Sequence, residues 1–525
     1  MTPRSPDPVN AEERTPSVGA SARPRPIEHA CFWLSERRRQ ADPPLVGRRE
    51  ADIVIVGAGL TGLWTANFLK SLDPGREVVV LEQGIAAYGA SGRNAGMLGE
   101  GIDHSHQLAI AHFGRGEAAR LARLGVANLA DLLRFLEERR IDCDLERTGQ
   151  LHVALTPPQI EELREAQDVA RRLGLEHYVF LDAEATRAEL SCARYQAGLL
   201  DPHGCNLDPV KLVEGLKREA VRAGTVFHER TRVTSIERSN GGVRLRTEHL
   251  PGAAGTESRM EATGVAADRL QAAASRLKAA AARVRVGIAP GAEGEILARR
   301  VILATNAYTH QIFPALQSRF IPLYDYVLAS DPLSDEQMSR LGWRRRCGVA
   351  DMRAFFKYYR LTRDNRILWG TSEAAYYPGN RVDESCDHSE RHYAELRDSF
   401  RRHFPALAEL EFPYAWGGPI CSTTRFTPFF GAAEGGRILY GLGYTGHGLG
   451  TTHLAGRILA HMALERPSPL LDLALVRKKP FPYPSEPLRS LSVRAVTRAL
   501  RRVDAGGRPG LLLRLLDALG IGLSS

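Results

Sequence analysis

The 525-residue chain has no apolar run long enough to cross a bilayer, which excludes a helical membrane-spanning body. Its opening stretch, MTPRSPDPVNAEERTPSVGASARPRP, lacks the hydrophobic segment of a secretory signal, and residues 1–46 are expected to form a disordered tail. Within it, Cys31-Phe32-Trp33-Leu34 is apolar enough to dock on the body. Cysteine is scarce and scattered: Cys31, Cys143, Cys192, Cys205, Cys347, Cys386 and Cys421 form no CxxC pair. That spacing argues against a zinc site and suits a reducing cytoplasm, where the protein is expected to reside. The 16 histidines likewise form no HxxxH group beside an acid, and His104 with His106 alone would bind a metal poorly, so no metal is expected. No triad-like nucleophile constellation stands out.

Charge of neither sign is lacking. Lys and Arg total 70 against 61 Asp and Glu, a net charge of +9. The arginines mostly share helical segments with acids, as in Glu161–Arg172 and Glu390–Arg402, which reads as solvated faces and not as a nucleic-acid surface. Leu488–Leu519 differs, alternating apolar and Arg positions at helical spacing with few acids. Residues 466–525 are therefore expected to be a basic helical extension that packs on the body; a membrane surface is the alternative partner.

What the sequence does have is concentrated in Ala51–Gly101. The buried-strand residues Ile53–Val56 run into Gly57-Ala58-Gly59-Leu60-Thr61-Gly62, a helical segment follows to about Ser71, and Glu77–Leu81 forms a second apolar strand closed by Glu82 and Gln83. This is a strand–turn–helix–strand unit carrying the dinucleotide fingerprint. Gly57 permits the tight turn, Gly59 the close approach of a pyrophosphate, and Gly62 the packing of helix on strand. The helix N-terminus offers N–H groups and a positive dipole to the phosphates. Glu82 lies about 20 residues past the last glycine, placed to accept from a ribose hydroxyl. An acid there repels a 2′-phosphate, so FAD or NAD fits better than NADP.

Three later segments complete the pattern. Gly89–Gly96, with Ala90, Ser91, Gly92, Arg93, Asn94 and Ala95, is a small polar run suited to lie against a flat ring system. Arg300–Tyr308 reads as a strand ending in the small residues Ala304, Thr305 and Asn306. Arg437–Gly450 is a strand breaking into the loop Gly443-Tyr444-Thr445-Gly446-His447-Gly448 before a helix at Thr452–Leu464. In this order GASGRNAG, ILATNAYT, RFTPFFG and GYTGHGLG resemble the FAD-dependent D-amino-acid oxidase/glycine oxidase superfamily. Together with IDCDLERTGQLHVALTPPQ, YYRLTRDNRILWG and VRKKPFPYPSEPLR they are most similar to its γ-glutamylputrescine oxidase-like amine oxidoreductases.

The resemblance implies an α/β fold: a Rossmann-like FAD-binding domain interleaved with an antiparallel-sheet substrate domain. The FAD part is expected over 47–142, 205–247, 296–320 and 425–465, and the substrate part over 143–204 and 321–424. Residues 251–294 interrupt a hairpin as an Ala/Gly-rich surface insertion. Gly57–Gly62, Glu82, Gln83, Ala90–Gly96, Val233, Ala304–Asn306 and Gly443–Gly448 are expected to hold FAD noncovalently. The implied reaction is oxidation of a C–N bond of a small amine by hydride transfer to the flavin, with oxygen or another electron acceptor. Neutral amine is the reactive form, so a dry pocket helps and no strong protein base is required. Candidate pocket residues are Tyr358 and Arg360 on one side of a strand, Arg425 facing flavin or a carboxylate, and His447, whose positive form would stabilise reduced flavin. In sarcosine-oxidase-like relatives a cysteine near the position of Cys421 carries the flavin covalently. A lysine that promotes reaction with oxygen matches Leu368 here, which leaves open a dehydrogenase passing electrons to a quinone or protein. A flavin-bound non-catalytic scaffold, the identity of the amine and the oligomeric state also stay open at this point.

Overall fold

The structure, a computed structural model, describes residues 30–35, 39–102, 104–251, 291–518 and 521. The expected insertion lies mostly outside them. The strands of the first half are β1 Gly47–Val56, β2 Val78–Leu81, β3 Met97–Leu98, β4 Gln150–Ala154, β5 Val179–Leu181, β6 Ala197–Asp201, β7 Cys205–Asn206, β8 Val226–His228 and β9 Thr231–Ser239. Those of the second are β10 Gly242–His249, β11 Glu293–Leu303, β12 Ile321–Pro332, β13 Gly348–Asp351, β14 Lys357–Leu361, β15 Arg366–Ala375, β16 Tyr414–Ser422, β17 Phe429–Ala433 and β18 Ile438–Leu442.

One sheet has the order β17-β18-β11-β1-β2-β8, with β9 and β10 branching from β11. Pairings β8–β2, β2–β1, β1–β11 and β11–β18 are parallel, and β17 closes the edge antiparallel. The apolar run of β1 is continuous because both its faces are covered. Ile53 and Ile55 pack with Leu63 and Ala66 of helix Leu60–Leu72, whereas Val54 and Val56 pack with Val243 and Leu245 of β10. The expected hairpin around the insertion is present, with Val243 opposite Ala298 and Thr247 opposite Gly294.

The second sheet has the order β16-β12-β15-β14-β13-β4-β6-β5 and is antiparallel except where β13 meets β4. Alternation on β12 gives it two different faces. Tyr324, Tyr326 and Leu328 enter a core with Tyr393 and Phe400 of helix Glu390–His403. Val327 and Ala329, with Leu368 and Trp416, enter the core shared with the parallel sheet. This second face looks toward the glycine-rich loops and carries the candidate site.

One correction concerns the N-terminal tail. Its described residues are built into the body: helix Phe32–Ser35 buries Phe32 and Trp33, and Trp33 Nε1 donates to Asn94 O at 3.0 Å. The aromatic pair exchanges tail entropy for burial against the Gly89–Gly96 segment. At the other end, helix Leu488–Asp504 is tied to the second sheet, because the Asp504 carboxylate accepts from the N–H groups of Ala354 and Phe355 at 2.8 and 2.9 Å.

Candidate active site

The first glycine turn has the geometry its sequence implies. Gly57 sits at φ +107°, and a Cβ there would meet Ala304 O at 2.9 Å. A Cβ on Gly62 would fall 2.0 Å from Gly57 O, so only glycine lets the helix come this close to β1. Helix Leu60–Leu72 starts at Gly59 without a side-chain cap. Two of the N–H groups there are held by side chains: Leu60 N donates to Ser91 Oγ at 2.9 Å and Ala58 N to Glu82 Oε2 at 2.8 Å. Glu82 Oε1 also accepts from Gly84 N at 2.9 Å, and burial raises the carboxyl pKa against these hydrogen bonds. Gln83 beside it is exposed. Val233 is buried in β9, two residues beyond a 2.8 Å bond from Thr231 N to Glu82 O.

The four motifs converge on this turn. Thr61 Oγ1 donates to Tyr444 OH at 2.8 Å, joining segments 383 residues apart. Asn306, at φ +44°, accepts from Gly443 N at 3.2 Å, while Thr305 Oγ1 meets Thr309 Oγ1 at 2.9 Å. Asn94 Oδ1 accepts from Gly96 N at 2.8 Å, shaping the polar run. Arg93 pairs with Asp387 at 2.6 Å, donates to Gly417 O at 2.9 Å, and lies 4.6 Å from the Tyr88 ring centroid. The helix start with its glycine N-cap, the glycine surfaces and Glu82 fit the pyrophosphate and ribose of FAD.

A cavity opens between these loops and the second sheet. His152 is exposed on the strand, and His104, Asp325, Tyr358 and His447 keep accessible surface although many neighbouring atoms surround them. Register explains how. His152 on β4 and Tyr358 on β14 both flank Ala350 of β13, and Tyr358 faces Gly370 of β15. The small residues on either side leave Tyr358 standing clear, and its ring leans across Gly370, where a Cβ would meet it at 2.2 Å. Tyr358 OH thereby reaches Asp325 Oδ2 on β12 at 2.5 Å. The rings of His104 and His447 lie 4.8 Å apart.

Desolvation is the leading influence on these groups. Burial lowers the His447 pKa to about 4, with His152 adding to the effect, and lowers His104 to about 3, with His447 adding. Burial also lowers His152 and pushes Asp325 up to about 7 against the Tyr358 hydrogen bond and the Lys357 charge. Burial thus favours the neutral ring of His447, so the positive form expected from sequence requires a neighbouring anion to hold it.

Two other candidates take structural places. Arg360 is buried and donates through Nε to Ala95 O, through Nη2 to Leu207 O at 2.6 Å and through Nη1 to Leu361 O at 3.1 Å. Its guanidinium, 5.2 Å from the Trp33 ring centroid, holds the polar run onto the sheet and has its donors committed to backbone. Arg425 donates to Pro428 O at 2.8 Å, Leu475 O at 3.1 Å and Lys478 O at 2.7 Å, so it fastens the C-terminal extension instead of facing flavin or a substrate carboxylate. Cys421 is fully buried in β16, and its thiol pKa stands well above the ordinary value through desolvation.

Sequence reasoning missed Asp325 and His152, since neither lies in a motif. The alternation of β12 and β4 was the available signal, but which face looks inward needs the pairing. Linear spacing also hid a group formed by Glu100, His177, Asp201 and His203, whose potential ligand atoms lie within 4.8 Å of one another. Glu100 bridges His177 Nε2 at 2.9 Å and His203 Nδ1 at 3.1 Å, and the two rings stack at 4.0 Å. It forms a hydrogen-bonded clasp from the segment after β3 to the edge of the second sheet.

The model of the FAD dependent oxidoreductase family matches residues 52–285 and 262–462. The chain belongs to that family. It is 29% identical over 413 residues to γ-glutamylputrescine oxidoreductase of Escherichia coli, covering 78% of this chain and 83% of the relative. To the probable oxidoreductase OrdL of Haemophilus influenzae it is 26% identical over 444 residues, covering 83% and 89%. Among solved structures, glycine oxidase from Geobacillus kaustophilus superposes with a TM-score of 0.61 at 18% identity, over 82% of this chain and 99% of that one. The FAD-dependent family thus agrees with the Rossmann-like sheet and its glycine turn.

Proposed function

We propose that the protein oxidises the C–N bond of a small, polar amine, with a γ-glutamylputrescine-like compound favoured. The reading is supported most by one observation: His104, His447 and the Tyr358–Asp325 pair gather between the glycine-rich loops and the second sheet, where desolvation favours neutral histidines. Similarity to γ-glutamylputrescine oxidoreductase points to the same class of substrate. Bound FAD supplies the oxidant, accepting a hydride equivalent from the carbon next to nitrogen. The substrate becomes an imine, which water hydrolyses to an aldehyde or keto acid. The chain's own residues position the amine, exclude water and keep positive charge away from its nitrogen. His104, His152 and His447, held neutral by burial, allow the unprotonated amine to persist there. Ser91, Glu82 and the Leu60–Leu72 helix start hold the nucleotide, and the buried protonated Cys421 thiol favours noncovalent binding.

The experiment is anaerobic reduction of the yellow protein by putrescine, γ-glutamylputrescine, sarcosine, glycine and D-amino acids, followed by admission of air. Bleaching by an amine with fast recolouring and peroxide supports an oxidase. No bleaching by any of them, in a protein that dithionite reduces, refutes the amine reading and favours the scaffold.

A dehydrogenase is the second reading, supported by the C-terminal surface. Leu488, Leu491, Leu511, Leu512 and Leu515 are exposed in helices Leu488–Asp504 and Leu511–Ala518, beside arginines such as Arg494 and Arg498. An apolar surface ringed by cations complements an anionic lipid surface, where a quinone acceptor would be found. Co-sedimentation with phosphatidylglycerol vesicles but not phosphatidylcholine vesicles, together with slow recolouring in air, is the result that reading requires.

A further inference from the structure

We propose that Asp325 is the ammonium anchor of the cavity and takes the proton that the substrate nitrogen must lose before oxidation. The inference deepens the amine reading and rests on it. Its basis is placement. Asp325 lies on the inward face of β12, opposite Gly418 of β16, whose missing side chain gives its space to Arg93. Arg93 is already paired with Asp387. One Asp325 oxygen, Oδ2, accepts from Tyr358 OH at 2.5 Å, while Oδ1 is buried with no hydrogen-bond partner. Among the described residues this carboxylate has no hydrogen-bonded cation to compensate its burial. A substrate ammonium supplies one.

The groups around it agree. His104, His152 and His447 share the cavity and burial keeps them neutral, so none competes for the carboxylate as a cation. Lys357 is near enough to be felt at Asp325, but its ammonium donates to Thr371 Oγ1 at 2.5 Å and burial lowers its pKa. Tyr358 fixes the carboxylate on one side and leaves the other oxygen for nitrogen.

The step balances as a proton transfer. An N–H bond of the bound ammonium breaks and an O–H bond forms on Asp325, leaving the electron pair on nitrogen. That pair assists departure of hydride from the adjacent carbon, with FAD as the oxidant. Burial raises the affinity of Asp325 for a proton into the neutral range, where it can exchange one with an amine whose own pKa falls on entering the same dry cavity. Tyr358 is a positioning residue: its hydrogen bond steadies the ionised form.

Two measurements on holoenzyme separate this proposal from the amine reading. The first titrates tert-butylammonium, which has no hydrogen on the carbon beside nitrogen and cannot be oxidised, while following the flavin spectrum. Saturable binding is expected in the wild type, weakened roughly tenfold or more in Asp325→Asn at unchanged FAD content, in a variant that melts no lower than the wild type at pH 7. The second follows anaerobic reduction against pH with an amine that bleaches the wild type. Asp325→Asn is expected to slow it roughly a hundredfold at pH 7, with recovery as pH rises toward that of the free amine. Tyr358→Phe removes a hydrogen bond that lowers the Asp325 pKa, so its rate profile is expected to shift to higher pH. Wild-type affinity and pH profile in Asp325→Asn would overturn the proposal. Binding of the probe that is lost in Asp325→Asn, in a protein that no amine reduces, would keep the anchor and refute amine oxidation.

Discussion

Replacing Arg360 by methionine decides whether this cation serves backbone or substrate. Methionine keeps much of the buried stem but removes every donor. Two of the lost bonds cross between segments, to Ala95 O and Leu207 O, and so join the polar run and the β7-side loop to β14. Bonds from a charged donor contribute about 1.5–3 kcal/mol each, and relief of the guanidinium's own desolvation offsets part of the loss. Contact with Trp33 adds a smaller attraction, on the order of 1 kcal/mol. We expect a net destabilisation of roughly 3 kcal/mol, in the range of a broken buried network. Because Ala95 and Gly96 lie in the run proposed to hold FAD, loosening them should also weaken FAD retention by roughly tenfold. Flavin fluorescence on heating reads both effects, since FAD released from protein becomes bright. Arg360 stays positive to about pH 10 by its burial-lowered pKa, so the effect should not vary across neutral pH. A methionine variant that melts and retains FAD like the wild type, yet needs far more amine for half-maximal reduction, would refute this assignment and return Arg360 to the substrate.

Gly62→Ala should give a colourless protein, because its Cβ would meet Gly57 O at 2.0 Å, and equilibrium dialysis against FAD checks it. Cys421→Ala should stay yellow and release all its FAD into the supernatant on acid precipitation, as the wild type should; flavin that stays with wild-type protein would establish a covalent link. Stability should fall as pH drops from about 6.5 toward 4, because burial lowers His104 and His403 to about 3 and His447 to about 4, and the unfolded chain takes up the protons they refuse. Asp325, raised to about 7, works in the opposite direction, so Asp325→Asn should steepen the acid fall in a thermal melt measured across that range.

Much of the fold was legible because its signals are local. A strand, three glycines at fixed offsets and an acid about 20 residues on define a unit whose backbone geometry admits few alternatives. Gly57, Gly62 and Glu82 could be read for the same reason: each acts through its own backbone or a neighbouring turn. Arg360 and Arg425 could not. Both sit in suggestive motifs, but a guanidinium reaches far, and whether it meets a ligand or a carbonyl depends on segments distant in sequence. Leu207 is 153 residues from Arg360, and Lys478 is 53 from Arg425. His447 differs again: its charge depends on how much solvent and which charges the assembled site brings to it, which no local pattern records. Asp325 and His152 were invisible since alternation names two faces of a strand without saying which one looks inward.

Leu368 has a second reading besides the electron acceptor. The resemblance placed a lysine there in relatives that react with oxygen, and leucine left a dehydrogenase open. In the structure Leu368 is fully buried, opposite Arg360 on β14 and Ala329 on β12. It packs in the core with Trp416 and Trp33. A lysine at 368 would set an ammonium beside the buried Arg360 guanidinium, with repulsion undiminished by water. Leucine is therefore what Arg360 requires, and Arg360 in turn matches Trp33, which the N-terminal segment lays beside it. These three residues form one packing solution, in which the choice at 368 follows from the clamp on Ala95 and Leu207. Its identity carries information about how this chain fastens its FAD cradle to the second sheet. The electron acceptor has to be read from the rate of recolouring in air.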